Sequence, residues 1–292
     1  MGRAGVLGAG TEGVLSRLAF FVAAPALLFL TLAEADTHAL LSSALVATAG
    51  SAVLSAVLFA MLVWWRWRPG SAQLTSGALS TSYVNAGNLG IPVAVYVLGD
   101  ASYVAPVLLF QVLVMAPIGL GVLARAQPVG EPEARWRTIT RPVRTPVVVG
   151  CALGLLVAAL GVQLPDVVLR PVELLAAIAV PVGLLAYGMS LHGAARPGTG
   201  AVAGQVWLAV VLKAVVMPAL AYVLGRWVAG LDGAALLAVT VTSALPTAQN
   251  VFVYAIAYGS PRDPGAVVAR DVIMLSTILS LPVIVGLSVV LA

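Results

Sequence analysis

NAGNLGIP, residues 85–92, and SALPTAQN, residues 243–250, each interrupt a long apolar run with amides, small residues and a proline, and their reading decides the fold. The first lies near the middle of the run 71–98 and the second near the middle of the run 233–258. Pro92 has no N–H for the carbonyl of Asn88 and clashes with it, while Gly87 and Gly90 lower the cost of an unwound backbone. Pro246 frees the carbonyl of Thr242 in the same way. In hydrocarbon such freed groups must face protein or water. Asn85, Asn88, Thr247, Gln249 and Asn250 bring donors and acceptors to that depth. A single proline kink is ordinary in a membrane helix; two such clusters at related positions predict two broken helices that form a binding site.

The surrounding composition makes the bilayer the solvent. Of 292 residues 61% are hydrophobic and 9% charged, against about 45–50% and about 25% in soluble domains. A spanning helix needs about 20 apolar residues. Nine spans follow, at roughly 14–34, 39–64, 71–98, 102–124, 144–162, 171–191, 201–227, 233–258 and 266–291. The longest gap, 125–143, carries prolines and charges and divides the chain into an N-terminal unit, 1–124, and a C-terminal unit, 144–292. The net charge of +4 comes from arginines in the gaps between spans. Those are topology signals, and nucleic acid is not a partner that they imply.

With the central loop in the cytoplasm, Arg3, Arg17, Arg66, Arg68, Arg125, Arg135, Arg137, Arg141, Arg144, Arg196, Arg262 and Arg270 fall on the inner side, and Arg170 and Arg226 outside. The N-terminus is then cytoplasmic and the C-terminus extracytoplasmic. An apolar run after Arg17 and the small-x-small trio Ala33-Glu34-Ala35 fit a signal peptide. The same segment, however, matches a mid-chain helix that cannot be one, so it reads as a span.

That match is an internal repeat. LAFFVAAPALLF at 18–29 resembles LLAAIAVPVGLL at 174–185 and brings Pro25 onto Pro181; Pro92 and Pro246 recur at a similar offset. Units with an odd number of spans would be inverted in the membrane, as in many secondary transporters. The first unit has four spans and the second five. The unmatched span TPVVVGCALGLLVAALGVQLP predicts a partner upstream of Met1.

Lys213 is the single lysine and sits at the centre of its span. A charge there costs about 3 kcal/mol or more. It predicts pairing with an anionic substrate, a carboxylate or backbone carbonyls, the last being a structural role on an unwound helix. Arg270 and Asp271 are adjacent, so they are expected not to pair along a helix face; Arg270 should snorkel, and Asp271 reads as a solvated helix-end acid ahead of the alternative of carrying a coupling proton. Cys151, the lone cysteine, reads as helix packing, and His38 and His192 lie at helix ends and make no metal site. No deep Ser/His or paired-aspartate set supports an enzyme, and no cofactor is implied.

Three stretches carry a family resemblance: TSYVNAGNLGIPVAVYVLGD at 81–100, the segment 145–191 that runs from TPVVVGCALG to GMSL, and ALPTAQNVFVYAIAYG at 244–259. With them the chain resembles the bacterial permeases of the auxin efflux carrier family, without the family's first helix. The resemblance implies an all-α fold of inverted repeats with two crossed broken helices, like that of bile acid symporters and sodium–proton antiporters. It further implies a homodimer in the cell membrane and elevator-type transport of a small organic anion, coupled to protons or to sodium. Asn85, Asn88, Pro92, Pro246 and Asn250 map to the crossing, and Thr247, Gln249 and Lys213 complete the candidate substrate site. A sodium-coupled symporter of the bile acid type and a receptor that binds without transporting are the competing functions. The first would require carbonyl, amide and acidic ion ligands at the crossing.

The arginine asymmetry makes a direct prediction. A phosphatase fused at residue 130 should be inactive in cells, and an active fusion would refute the orientation.

Overall fold

The computed structural model describes residues 11–33, 42–126, 146–162, 164–192 and 194–291. Residues 1–10, 34–41 and 127–145 lie outside that description, so Arg3, Glu34 and Ala35 of the small-x-small trio, His38 and most of the central loop are not placed. Among the described residues every regular element is a helix, apart from one isolated antiparallel bridge between Val84 and Thr247.

Six helices are long and apolar enough to span: α1 (Gly13–Ala33), α2 (Ser43–Trp67), α5 (Ser102–Arg125), α7 (Asp166–Ser190), α8 (Ala203–Val228) and α11 (Pro264–Leu291). The shorter α6 (Pro146–Leu160) is a seventh apolar helix. The remaining two runs are broken, into α3 (Ser71–Ser82) and α4 (Ala86–Leu98), and into α9 (Gly233–Ser243) and α10 (Asn250–Ala257). The nine apolar runs of the sequence thus correspond, among the described residues, to six helices long enough to span, one shorter apolar helix and two broken runs, with boundaries moved by a few residues.

Helix α2 illustrates why these sequences form membrane helices. The Ser42 hydroxyl accepts the Leu45 N–H at its N-terminus, and Arg68 ends it in a left-handed conformation. Thr48, Ser51, Ser55 and Phe59 are buried, whereas Val46, Val53, Val57 and Met61 are exposed. Small polar residues face the protein and large apolar ones face outward, the pattern that lipid demands. Trp64, Trp65 and Trp67 gather with Arg66 and Arg68 at one end, where amphipathic rings and guanidinium groups suit the headgroup level.

Two bodies are visible in the packing. Helix α1 lies against α6 and α7, while α2, α5, α8 and α11 pack around the broken pairs α3–α4 and α9–α10. The first body rests on a close approach: a Cβ on Gly154 would stand 2.4 Å from the Phe29 carbonyl oxygen, and one on Gly150 2.6 Å from that of Pro25. Two glycines four residues apart thus let the α6 and α1 backbones touch. The bodies meet through rings, Phe20 edge-on to Tyr254 at 6.0 Å and Tyr187 edge-on to Phe252 at 5.9 Å.

The Arg270–Asp271 expectation is overturned. Both are buried, and Arg270 donates from Nε and Nη2 to Asp271 Oδ1 at 2.9 and 2.7 Å. Asp271 Oδ2 accepts the Gly198 N–H at 3.0 Å, and the Gly198 carbonyl accepts from Trp207 Nε1 at 3.1 Å. The segment between α7 and α8 folds over this part of α11, which removes the water that both side chains were expected to reach, and the long Arg270 side chain curls back onto its neighbour. Cys151 behaves as expected, buried with Sγ against the Val112 carbonyl.

Replacing Gly154 with leucine should push α6 off α1 and lower Tm, since overpacking alone costs about 1–3 kcal/mol and the obstacle here is backbone. Gly188→Ala on α7, where a Cβ meets nothing within 4 Å, should leave Tm unchanged. Equal thermal unfolding of the two variants would contradict the packing.

Candidate functional site

The two breaks cross and pair with each other. The Asn85 N–H donates to the Pro246 carbonyl at 2.8 Å, and the Ala248 N–H to the Tyr83 carbonyl at 3.1 Å. These bonds flank the Val84–Thr247 bridge and run antiparallel. Around them, Gln111 Oε1 on α5 accepts the Val84 N–H, the Thr247 hydroxyl donates to the Ser80 carbonyl at 2.6 Å, and Ser276 Oγ on α11 accepts the Thr247 N–H at 3.1 Å. Every one of these groups would be orphaned by the loss of helix at this depth.

The break differs in detail from the sequence reading. It falls at Tyr83–Asn85, ahead of the glycines, and residues 86–90 form a π-turn that starts α4. Pro92 is exposed within α4 and takes no part in the crossing. It is not the counterpart of Pro246, which is buried in the second break and supplies the carbonyl that Asn85 binds. The reason lies in the capping: the Asn85 carbonyl accepts from both Leu89 and Gly90, and its Oδ1 accepts the Asn88 N–H at 3.3 Å, so the helix restarts at Asn85 with Pro92 inside it. In the second break the Thr242 carbonyl recovers a donor from Leu245 at 3.3 Å. The carbonyl left over is that of Ser243, because residue 246, three further on, is a proline without an N–H.

In front of the crossing lies a cavity of about 480 Å³ between the two bodies. Asn85, Asn88, Gln249 and Asn250 line it, together with Gln111, Thr31 and the rings of Tyr83 and Tyr254. Asn85 and Asn88 both donate from Nδ2 to Gln249 Oε1 at 3.3 Å, which joins the amides of the two breaks. The Gly87, Gln249 and Asn250 backbone N–H groups have no protein acceptor among the described residues. They sit in the first turns of α4 and α10, whose positive dipole ends meet at the cavity. No charged residue is among the described residues that line it. Ala24 and Val180, each next to a repeat-related proline, Pro25 or Pro181, form the far wall.

Of the eight candidate site residues, Asn85, Asn88, Gln249 and Asn250 come together at the cavity. Pro246 and Thr247 build the crossing behind it. Lys213 does not line the cavity; it is buried behind α9, with Nζ 3.2 Å from the Ser243 carbonyl and 3.2 Å from Met217 Sδ. The carbonyl pairing weighed for it from sequence is the contact it makes here. Gln111 escaped the sequence reading, although an amide in the run LLFQVLVM carries the same signal as Lys213, a polar group at mid-span.

Crossed broken helices around an amide-lined cavity, in a chain of spanning helices, define a membrane transporter. The family model described as "Membrane transport protein" matches residues 2–287, and the chain belongs to this auxin efflux carrier-like family. It is a transporter and not an enzyme. A Rhizobium meliloti (strain 1021) protein named "Putative malonate transporter" is 26% identical over 283 residues, which cover 94% of this chain and 85% of that protein.

Asn88→Ala and Asn250→Ala should weaken ligand binding about tenfold, the loss of one buried polar contact of about 1–3 kcal/mol, with little change in Tm, because both side chains are exposed to the cavity. Asn85→Ala should lower affinity and Tm together, since Asn85 also caps α4. Calorimetric titration and thermal unfolding of the purified variants separate these outcomes, and unchanged affinity in all three would refute the site.

Proposed function

We propose that the chain is a secondary active transporter of small organic anions, whose site compensates about one negative charge. The observation that carries this reading is the cavity itself: amides and free N–H groups from two half-helix N-termini converge there, and none of the described lining residues is charged. Each helix N-terminus is equivalent to about half an elementary charge, so two of them suit one carboxylate. A second desolvated carboxylate would have no counter-charge, and burying an unpaired charge costs several kcal/mol. The apolar wall from α1 and α7 accommodates the body of the ligand.

The cavity lies at the seam between the α1–α6–α7 body and the crossing body. Motion of the crossing body along that seam would carry the site from one side of the membrane to the other, which supports an elevator-type cycle. Among the described residues the seam is made of apolar side chains and ring edges rather than ion pairs, with two hydrogen bonds across it, from the Tyr187 hydroxyl to the Arg270 carbonyl and from Cys151 Sγ to the Val112 carbonyl. Malonate, named for the relative, would enter as its singly protonated form.

Uptake into proteoliposomes with equal pH on both sides tests the charge rule. Malonate uptake should rise as pH falls toward its second pKa, while uptake of a monocarboxylate stays flat over the same range. A malonate rate that is independent of pH would refute the single-charge site, and absence of uptake for every carboxylate tried would refute transport of this class.

A further inference from the structure

We infer that the Lys213 ammonium is a tethered cation of the crossing, occupying the position at the C-terminal end of α9 where a mobile alkali ion would otherwise be held. The carbonyls at that end identify the position. Those of Thr240 and Val241 both accept from the Ala244 N–H, and that of Thr242 from the Leu245 N–H. Among the four carbonyls of the last turn of α9, residues 240–243, that of Ser243 alone lacks a backbone donor, for Pro246 has none to give and the Thr247 N–H is taken by Ser276. At mid-membrane depth such a carbonyl requires a partner, and at a helix C-terminus the favoured partner is a cation. Lys213 provides it from α8 at 3.2 Å.

The other half of the crossing shows what a neutral solution looks like. There Ser55 Oγ on α2 donates to the Thr81 carbonyl at 3.3 Å, one residue from the end of α3, just as Lys213 on α8 serves the end of α9. A hydroxyl suffices at α3, where Thr247 also donates to the Ser80 carbonyl. At α9 the ammonium meets the Ser243 carbonyl and the Met217 thioether, each at 3.2 Å, and the Ser243 hydroxyl lies 3.5 Å from that of Ser51 on α2. Oxygens of this kind suit an alkali cation. Lys213 forms no ion pair with a described residue, so its charge answers to those oxygens and to the helix end. Lys213 is therefore a positioning residue, which acts on the substrate through the α9–α10 break, and the protein needs no sodium.

Only the uptake measurements below rest on the transport reading. The primary test follows Tm of purified protein in chloride salts at constant ionic strength. Wild type should unfold at the same temperature in sodium, potassium and choline, and its uptake should be equal in all three; sodium dependence of either overturns the inference. Lys213→Ala should have a lowered Tm that rises with propylammonium concentration and not with choline, because the amine replaces stem and charge together. Absence of that recovery, including failure to obtain folded protein in either salt, overturns it. Lys213→Arg, which keeps the charge, should fold and retain partial uptake, and Lys213→Met, which keeps the stem alone, should lose Tm and uptake. A methionine variant equal to wild type, or an arginine variant as impaired as methionine, overturns it too. Recovery by propylammonium with no uptake in wild type would support the tethered cation and count against the transport reading alone.

Discussion

Backbone groups at membrane depth have no water to bond, and the rest of this structure depends on how two interrupted helices meet that constraint. A break exposes several N–H and carbonyl groups in hydrocarbon. Here each break supplies partners for the other: Asn85 and Ala248 donate across the crossing to Pro246 and Tyr83. Gln111, Thr247 and Ser276 take up the groups that remain between them. Neither interruption would be tolerable alone, so the crossing is obligatory once both sequences are present. The free ends it leaves, the first turns of α4 and α10, point at the same cavity as a consequence.

Charge is distributed on the same principle. The cavity that should receive an anion has no fixed charge in its lining, and polar recognition falls to amides and backbone N–H groups. Fixed charges are buried only where their partners are equally fixed. Lys213 faces the one carbonyl that Pro246 leaves over, and Asp271 divides its oxygens between Arg270 and the Gly198 N–H. A permanent cation inside the cavity would hold a carboxylate tightly and slow its release, whereas neutral donors give orientation with weaker retention.

The two bodies differ in how they are joined internally and to each other. Backbone contact at Gly150 and Gly154 makes the α1–α6 pairing close and unforgiving. Between the bodies the contacts are side chains of a shared apolar cluster, ring edges among them, rather than touching backbones. The cavity occupies this boundary, the place where the proposed elevator motion would act on it.

The sequence by itself determined the solvent and the number of apolar runs, because apolar length and the near absence of charge leave no alternative to spanning helices. It also indicated that two of those runs break, since clusters of proline, small residues and amides recur at mid-span in related positions of the two units, and it placed four of the amides that line the cavity. Only the tertiary structure decided where each break falls and which residues face the ligand. Pro92 looks like Pro246 in sequence, yet the Asn85 cap restarts the helix ahead of it, and that cap depends on a bond to the other break. Lys213 could serve an anion or a carbonyl equally well until α9 is seen to end beside it. Arg270 and Asp271 read as solvated helix-end groups until the segment before α8 covers them. In each case the deciding partner lies far away in the chain, and burial at a distance is what local sequence does not encode.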